Sequence, residues 1–452
     1  MMVGETALSG RYEAYPEYKD SGVEWLGLIP TEWELWKLNH AFDEIGSGTT
    51  PPSGSDEWYG GDVPWVTTGE LRETEIVSTT KKITQETLRR FPTLRKYPKG
   101  AIAIAMYGAT IGRLGIFGIE ATTNQACCVL AKSSVVDNKY LYYWLQAFRQ
   151  DIVSLASGGG QPNINQEVVA SLKISSPDVT GQRKIANFLD HETTKIDTLI
   201  DKQQQLITLL KEKRQAVISH AVTKGLNPHA PMRDSGVEWL GEVPAHWSVS
   251  QVGHCAFVTK LTGFEYTKLW QIDEDGKIIA LRGFNVKERK LELNDVERIS
   301  TDLSATLART KLAKGDIVFP CTGTIGNAAM VEEDDRFHIN QNIAKIRFDA
   351  TVSARFAIYW LTSSFTRTII DRNNTSGMQP VVLIGDIRKL PIPRFDYLEQ
   401  EIVADYLDAI VDRFNILISN AESAITLMKE RRTALISAAV TGKIDVRNWK
   451  AA

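Results

Sequence analysis

The chain has 452 residues, of which 43% are hydrophobic and 24% charged, with a formal net charge of −3. That length exceeds one ordinary core, and the slightly acidic balance excludes a globally basic nucleic-acid binder, so any such contact has to rest on local patches. No apolar run approaches the eighteen or more residues that span a bilayer, and the opening MMVGETALSG has neither the basic nor the apolar region of a signal peptide. A cytoplasmic protein with no membrane partner is expected. Cys127, Cys128, Cys255 and Cys321 form no C-x-x-C pair and the histidines are scattered, so neither a metal site nor a disulfide framework is expected.

In chain order, residues 1–18 read as a polar tail. Residues 19–33, KDSGVEWLGLIPTEW, then return as RDSGVEWLGEVPAHW at 233–247, identical at ten of fifteen positions. Between these boxes the pattern is strand-rich and broken by Gly and Pro turns. Residues 98–116, a Pro-Lys-Gly turn followed by AIAIAMYGATIGRLGI, match 313–331, Ala-Lys-Gly followed by DIVFPCTGTIGNAAMV. Asn124-Gln125 matches Asn340-Gln341, each before a strand, and Tyr143-Trp144-Leu145 matches Tyr359-Trp360-Leu361 on a short amphipathic helix. The glycine run 158–160 reads as a loop before a strand, because no helix with Lys and Ser or Thr follows it closely.

Each half ends in a long helical pattern. Residues 209–225, LLKEKRQAVISHAVTKG, are identical at ten of seventeen positions to 427–443, LMKERRTALISAAVTGK, at an offset of 218, which marks an internal repeat. Leu189, Ile196, Gln203, Leu210 and Val217 recur every seven residues, and Leu407, Phe414, Ala421, Met428 and Leu435 repeat the frame. A second seam is read three places on, through Glu192, Leu199, Leu206, Lys213 and His220 in the first helix and Ile410, Leu417, Ala424, Arg431 and Ala438 in the second. A sustained 3.5-residue apolar period predicts helices of about 40 residues, roughly 60 Å long, each packing along the other.

The expected division is an N-terminal segment 1–30, a globule 31–180, a long helix 181–226, a connector 227–247, a second globule 248–398, a second long helix 399–444 and a tail 445–452. The class is α+β, with two pseudo-repeated globules that combine strands and short helices. Helices and flanking boxes match closely between halves, whereas the globules keep only a skeleton of turns. One scaffold presents two different surfaces, as suits a bipartite reader of an extended target or a duplicated structural scaffold.

Catalytic signatures do not occur. There is no G-x-x-x-x-G-K-[ST] loop, no G-x-G-x-x-G, no G-x-S-x-G elbow, no H-E-x-x-H and no amino-methyltransferase motif of the Asn/Asp-Pro-Pro-aromatic type. No catalytic residue is assigned. The densest basic run, 81–99, carries Lys81, Lys82, Arg89, Arg90, Arg95, Lys96 and Lys99 against Glu86 alone. A solvated face is the ordinary reading of such a run, but Arg298, Arg309, Lys311 and Lys314 keep a basic bias in the second half, which favours contact with a phosphate backbone. Base reading needs hydrogen-bonding side chains on loops. The candidates are Ser47, Thr49, Thr50, Thr67, Thr68, Tyr107, Thr110, Arg113, Gln161 and Asn163 in the first half. Thr259, Lys260, Arg282, Asn285, Thr322, Thr324 and Gln379 are those of the second.

These residues resemble a known family, the specificity (S) subunits of type I restriction-modification systems. The resemblance is carried by IGSGTTPP at Ile45, WYGGDVPWVTTGEL at Trp58, YPKG followed by YGATIGR, NQA at Asn124, GGQPNI and PDVTGQRKIANFLD. KGDIVFPCTGTIGN, INQNIAKI, MQPVV, LEQEIVADYLD and the two DSGVEWLG boxes carry it in the second half. The second half has no G-T-T-P-P stretch near Val258, and Gly181 stands where its counterpart is Glu399. The resemblance implies two target-recognition globules separated by antiparallel long helices, each reading one half of a split, asymmetric double-stranded DNA site. It also implies that the helices fix the unread spacer and dock two methyltransferase (M) subunits, and that restriction and translocase (R) subunits join. S-adenosylmethionine, ATP and Mg2+ would then act through those partners, with no cofactor bound by the chain itself.

Overall fold

The computed structural model describes residues 12–156, 163–373 and 381–450. The chain divides into two compact units, Met1–Gln203 with Ser423–Ala452 and Gln204–Glu422, so the boundary falls inside both long helices. No helix among the described residues is long and apolar enough to cross a membrane.

The two long helices are Val179–Lys224 and Tyr397–Val440. An aspartate starts each one: Asp178 accepts from the backbone of Gly181 at 2.8 Å, and Asp396 from Leu398 at 2.9 Å. A glycine ends each one, Gly225 and Gly442, both at φ +72° where a side chain would be strained. Within the first unit the start of one helix lies on the end of the other, with Asp197 bound to Arg432 at 2.9 Å. Within the second, Arg214 donates to Asn415 at 2.7 Å. Each pairing is therefore antiparallel.

Burial corrects half of the expected seam. Leu189, Ile196, Leu407 and Leu435 are buried, and Leu210, Phe414 and Met428 are half-buried, along the first seam. Leu199, Leu206 and Leu417 are instead 50%, 43% and 51% exposed. The second seam lies four places on, not three, through Thr193, Ile200, Ile207, Arg214 and Ala221 in one helix and Val411, Ile418, Ile425 and Arg432 in the other. A 4–3 alternation from Leu189 keeps both seams on one stripe, and the leucines at 199 and 206 fall one position, about 100°, away from it.

In the first unit a five-stranded sheet has Glu44–Ser47, Cys127–Ala131, Ile102–Ala105, Leu114–Phe117 and Thr74–Ile76 side by side. A three-stranded sheet pairs Tyr59–Val66 with Thr122–Thr123 and Lys82–Ile83. The helix Asn138–Ala147 joins the five-stranded sheet to the long helices, with Tyr140, Trp144, Phe188, Leu189 and Leu435 in one core. Neither the 19–33 box nor residues 12–18 before it form a detached tail. Trp33 and Tyr15 are buried in that core, and Asp445 donates its backbone N–H to Glu13 at 2.7 Å, so the N-terminal and C-terminal stretches meet here. Ile444 and Val446, expected in or beside a tail, are buried as well.

The second unit repeats this plan. The sheet Ala256–Thr259, Ile343–Phe348, Ile317–Pro320 and Ala329–Met330 is accompanied by Glu297–Ile299, Ile278–Leu281 and Phe337–Ile339. Trp247, from the expected connector, is fully buried and stacks on Phe395 with centroids 3.9 Å apart. A buried glutamine ties helix to globule in each unit. Gln182 accepts from the Asp137 backbone at 2.7 Å and donates to the carbonyls of Val135 and Pro177; Gln400 accepts from Ser353 at 2.8 Å and donates to Thr351 and Phe395. Tyr143 donates to Asp190 and Tyr359 to Asp408, so the same tyrosine–aspartate pair recurs.

Candidate nucleic-acid interface

Register gathers the first globule's loops at one end of its sheets. Ser47 pairs with Cys128 and Cys127 with Ala105, so the loops after 47, before 127 and after 105 emerge together. Thr123 pairs in parallel with Val66, which brings the turn at 67–70 to the same end. Met106 donates to Ala126 and Ile164 to Met106, both at 2.8 Å, and Tyr107 bridges Asn163, closing the group. Ser47, Thr49, Thr50, Thr67, Thr68, Tyr107, Thr110, Arg113 and Asn163 thus share one surface, while Gln161 lies outside the described residues.

The loop at 48–52 is held rather than free. Gly48 presses against Thr123, where a Cβ would stand 1.7 Å from the carbonyl oxygen, so only glycine fits. Trp65 donates its indole N–H to the Thr49 carbonyl, Tyr59 its hydroxyl to that of Pro51, and Thr50 its hydroxyl to Gln125 at 2.5 Å. Thr67 is committed inward, its backbone N–H and hydroxyl both bonding Glu70, so it builds the turn. Arg113 is half-buried and has no charged partner among the described residues.

The second globule forms the corresponding end. Thr259 pairs with Lys345, Pro320 with Ile343 and Leu281 with Ile339, and Cys321 donates to Asn342 at 2.8 Å. Thr322 and Thr324 lie there, Thr324 donating to the Gly283 carbonyl at 2.9 Å, whereas Gln379 lies outside the described residues. Two expected base readers are structural instead. Asn285 is buried, accepts from the Arg282 backbone and donates to the carbonyls of Glu292 and Asp295, so its capacity is spent inside the fold. Thr259 is buried too and accepts from Arg309. Arg282 remains exposed, pairing with Glu297 at 2.9 Å and lying 4.7 Å over the Phe284 ring.

Where the sequence shows no G-T-T-P-P stretch, the fold places a short helix, Gly263–Lys268, capped by Thr262. Arg309 braces it, donating to Glu265 at 2.6 Å and to the Lys260 carbonyl at 2.9 Å. Burial pushes the Glu265 carboxyl up, but hydrogen bonds from Thr262 and Arg309 more than offset this and hold it below the usual range. The brace presents Phe264, 68% exposed, beside Lys260 and Lys268. Sequence reasoning passed over Phe264, as it did Gln125 and Gln341, whose doubled Asn-Gln step was visible but read only as the start of a strand.

The basic run does not form one face. Lys82 pairs with Pro64 in the strand register, which puts Lys81 and Lys82 beside the loop end. Arg89 and Arg90 are exposed at the end of the helix Gln85–Arg90. Arg95 is exposed, Lys96 pairs with Glu120, and Lys99 pairs with Glu75 where the central strand begins, at its far end. Part of the basic bias of the second half is neutralised within the fold, since Arg309 is the brace and Lys311 pairs with Asp335 at 2.5 Å, while Lys314 stays exposed.

The four cysteines are buried free thiols, and burial pushes Cys128 up to about 12 and Cys321 to about 11, which keeps both protonated. Among the described residues no group of histidines, cysteines and carboxylates is placed to hold a metal ion.

Comparison with known proteins agrees with this architecture. Residues 30–209 and 261–427 match the model of the type I restriction modification DNA specificity domain. The MjaVIII specificity subunit of a type I restriction enzyme from Methanocaldococcus jannaschii is 24% identical over 441 residues, covering 95% of this chain and 98% of that protein. The EcoBI specificity subunit from Escherichia coli is 21% identical over 340 residues, 73% of this chain and 71% of its own. Among solved structures, one described as underlying complex assembly and conformational transition of the type I R-M system superposes with a TM-score of 0.70 at 13% identity, covering 91% of this chain and 98% of that one. The HsdS subunit from Thermoanaerobacter tengcongensis does so at 0.54 and 13%, covering 92% and 98%. With the family's domain present twice, on two loop ends built to one plan, the chain belongs to the type I restriction-modification DNA specificity family.

Proposed function

We propose that each globule sets its loop end against double-stranded DNA and reads one half of a bipartite, asymmetric site, while the helix pair fixes the unread spacer. The observation that carries this reading is the recurrence of one framework with different contents. Asn124 and Asn340 stand at corresponding turns, yet the place of Thr49 and Thr50 in one half is taken in the other by Lys260 and a braced Phe264. Lys81, Lys82 and Arg113 in the first half and Lys260 in the second suit phosphate contact, which orients without specifying. Polar groups such as Thr50, Gln125 and Arg282 suit base edges, where a good bidentate pair discriminates by about 1–3 kcal/mol.

The chain acts as a non-catalytic subunit in this reading. It assembles two methyltransferase subunits, and restriction and translocase subunits join the same complex. S-adenosylmethionine, ATP and Mg2+ are used by those partners. The test is methylome sequencing of cells expressing this chain with its methyltransferase partner. The expected result is one motif with two specified halves and a fixed gap. Methyl transfer or cutting by the purified chain alone would replace the reading with a self-contained enzyme. Failure to bind DNA with the methyltransferase present would leave a duplicated scaffold.

A further inference from the structure

One position is filled in the first unit and open in the second. Phe188, on the first long helix, is fully buried, with Tyr12 edge-on at 5.4 Å and Trp449 edge-on at 5.5 Å. Below those rings lie Leu435, Ala438, Ile444 and Val446, all buried. The repeat offset of 218 carries Phe188 to Tyr406, which is 42% exposed. Beside Tyr406, the residues Val217, Ala221, Leu226 and Pro228 wall a cavity of about 600 Å³.

The chain's own connector carries no Phe, Tyr or Trp to place there. In the first unit two separate stretches reach Phe188, one from each end of the chain. In the second, the single stretch 225–232 both leaves one helix and enters the next box. Pro231 stands at the position of Trp449, and Leu226 at that of Tyr12. Leu398, Ile402 and Tyr406, spaced by four on one helix face, are 71%, 58% and 42% exposed and lead up to the cavity. Lys213 lines it and has no ion-pair partner among the described residues.

We infer that this groove takes an aromatic side chain from the methyltransferase subunit, carried on a segment whose carboxylate meets Lys213, in the place Trp449 takes in the first unit. The inference rests on the proposed partnership with that subunit. It makes the two halves non-equivalent as docking surfaces, because the first already holds its ring.

The test uses the full chain with p-benzoylphenylalanine in place of Tyr406, irradiated with purified methyltransferase subunit and mapped by mass spectrometry. The expected product joins position 406 to an aromatic-bearing segment of the methyltransferase. Ala216→Trp, at an exposed position lining the groove, is expected to weaken assembly at least tenfold with the melting temperature unchanged, and Tyr406→Glu to do the same. Crosslinking to the chain itself, or unchanged affinity in both variants, would overturn the inference. If the unmodified chain binds no methyltransferase at all, the partnership fails, and the groove assignment with it.

Discussion

Gln182 offers the sharpest test of how helix and globule are joined. Replacing it with Ala removes the partner of three half-buried backbone groups, the Val135 and Pro177 carbonyls and the Asp137 N–H, and of the buried Ser176 hydroxyl. An unsatisfied buried group costs about 1–3 kcal/mol, and water entering the vacated space offsets part of that, so the expected loss is about 3–5 kcal/mol. In domains of this size each kcal/mol lowers Tm by roughly 2–4 °C, so the first unit should melt about 10 °C early or more. Gln400→Ala should do the same to the second unit, having lost the Thr351 and Phe395 carbonyls and the Ser353 N–H. Gln182→Glu keeps the shape but puts a carboxyl where nothing is exposed. Burial raises that carboxyl's folded pKa above its unfolded value, so the variant should be less destabilised below about pH 4.3 and progressively more so as pH rises through the folded value. Urea unfolding of the full chain, with fluorescence following Trp33, Trp144, Trp247 and Trp360, measures all three. A loss below about 1 kcal/mol in both alanine variants would refute the account of a hydrogen-bonded joint.

Asn285→Ala should cost about 2–4 kcal/mol in thermal unfolding, because two backbone carbonyls lose their donor, whereas Arg113→Ala should leave Tm nearly unchanged and weaken DNA binding in an electrophoretic shift assay. If Arg89 and Arg90 touch phosphates, their joint replacement by Ala should lower the slope of log K against log salt by up to about 2, and an unchanged slope returns them to solvent. Burial holds buried His338 below its usual pKa, so the unfolded chain takes up a proton first; stability present above about pH 6.5 should be lost as pH falls toward the folded value, and His338→Gln should flatten that dependence in pH-resolved melts. Matched seven-residue insertions after Gln204 and Glu422 keep the 4–3 seam and add about 10 Å, so motif determination should return unchanged half-sites with about three more base pairs between them, while an active complex with its original gap would show that the helices do not set the distance.

How much of this was legible follows from what each residue answers to. The long helices were readable because their heptads are local and their repeat is dense. The second seam was misplaced because Leu199, Leu206 and Leu417 look like seam residues in composition. Only the partner helix decides that Thr193, Ile207 and Ile418 are the ones covered. Loops were legible as sets, since Gly and Pro punctuate them and the doubled order fixes which ends they share. Single donors were not legible, because Asn285 spends its amide on carbonyls 7 and 10 residues away and Thr259 is taken by Arg309 from 50 residues on. The basic run failed as one face for a related reason. A strand, a short helix and a turn within nineteen residues send Lys82, Arg90 and Lys99 to different parts of the globule.

The repeated and unrepeated residues divide by task. Gln182 and Gln400, Tyr143 and Tyr359, Trp33 and Trp247 recur as pairs, and all are buried or bonded within a unit's own core. They hold the helix ends, the connecting helix and the sheet in one geometry, whatever the loops contain. The exposed side chains of the loop ends carry little of that work: Thr50 bonds a neighbouring loop, and Phe264 touches solvent over most of its surface. Substitution there changes exposed donors and apolar groups at a stability cost of roughly ±0.5 kcal/mol, well below the cost of losing a buried glutamine. The fold therefore lets the two loop ends diverge while the joints between globule and helix stay fixed, and under the proposed function a fixed joint is the condition for a change in one half-site to leave the spacer and the other half-site alone.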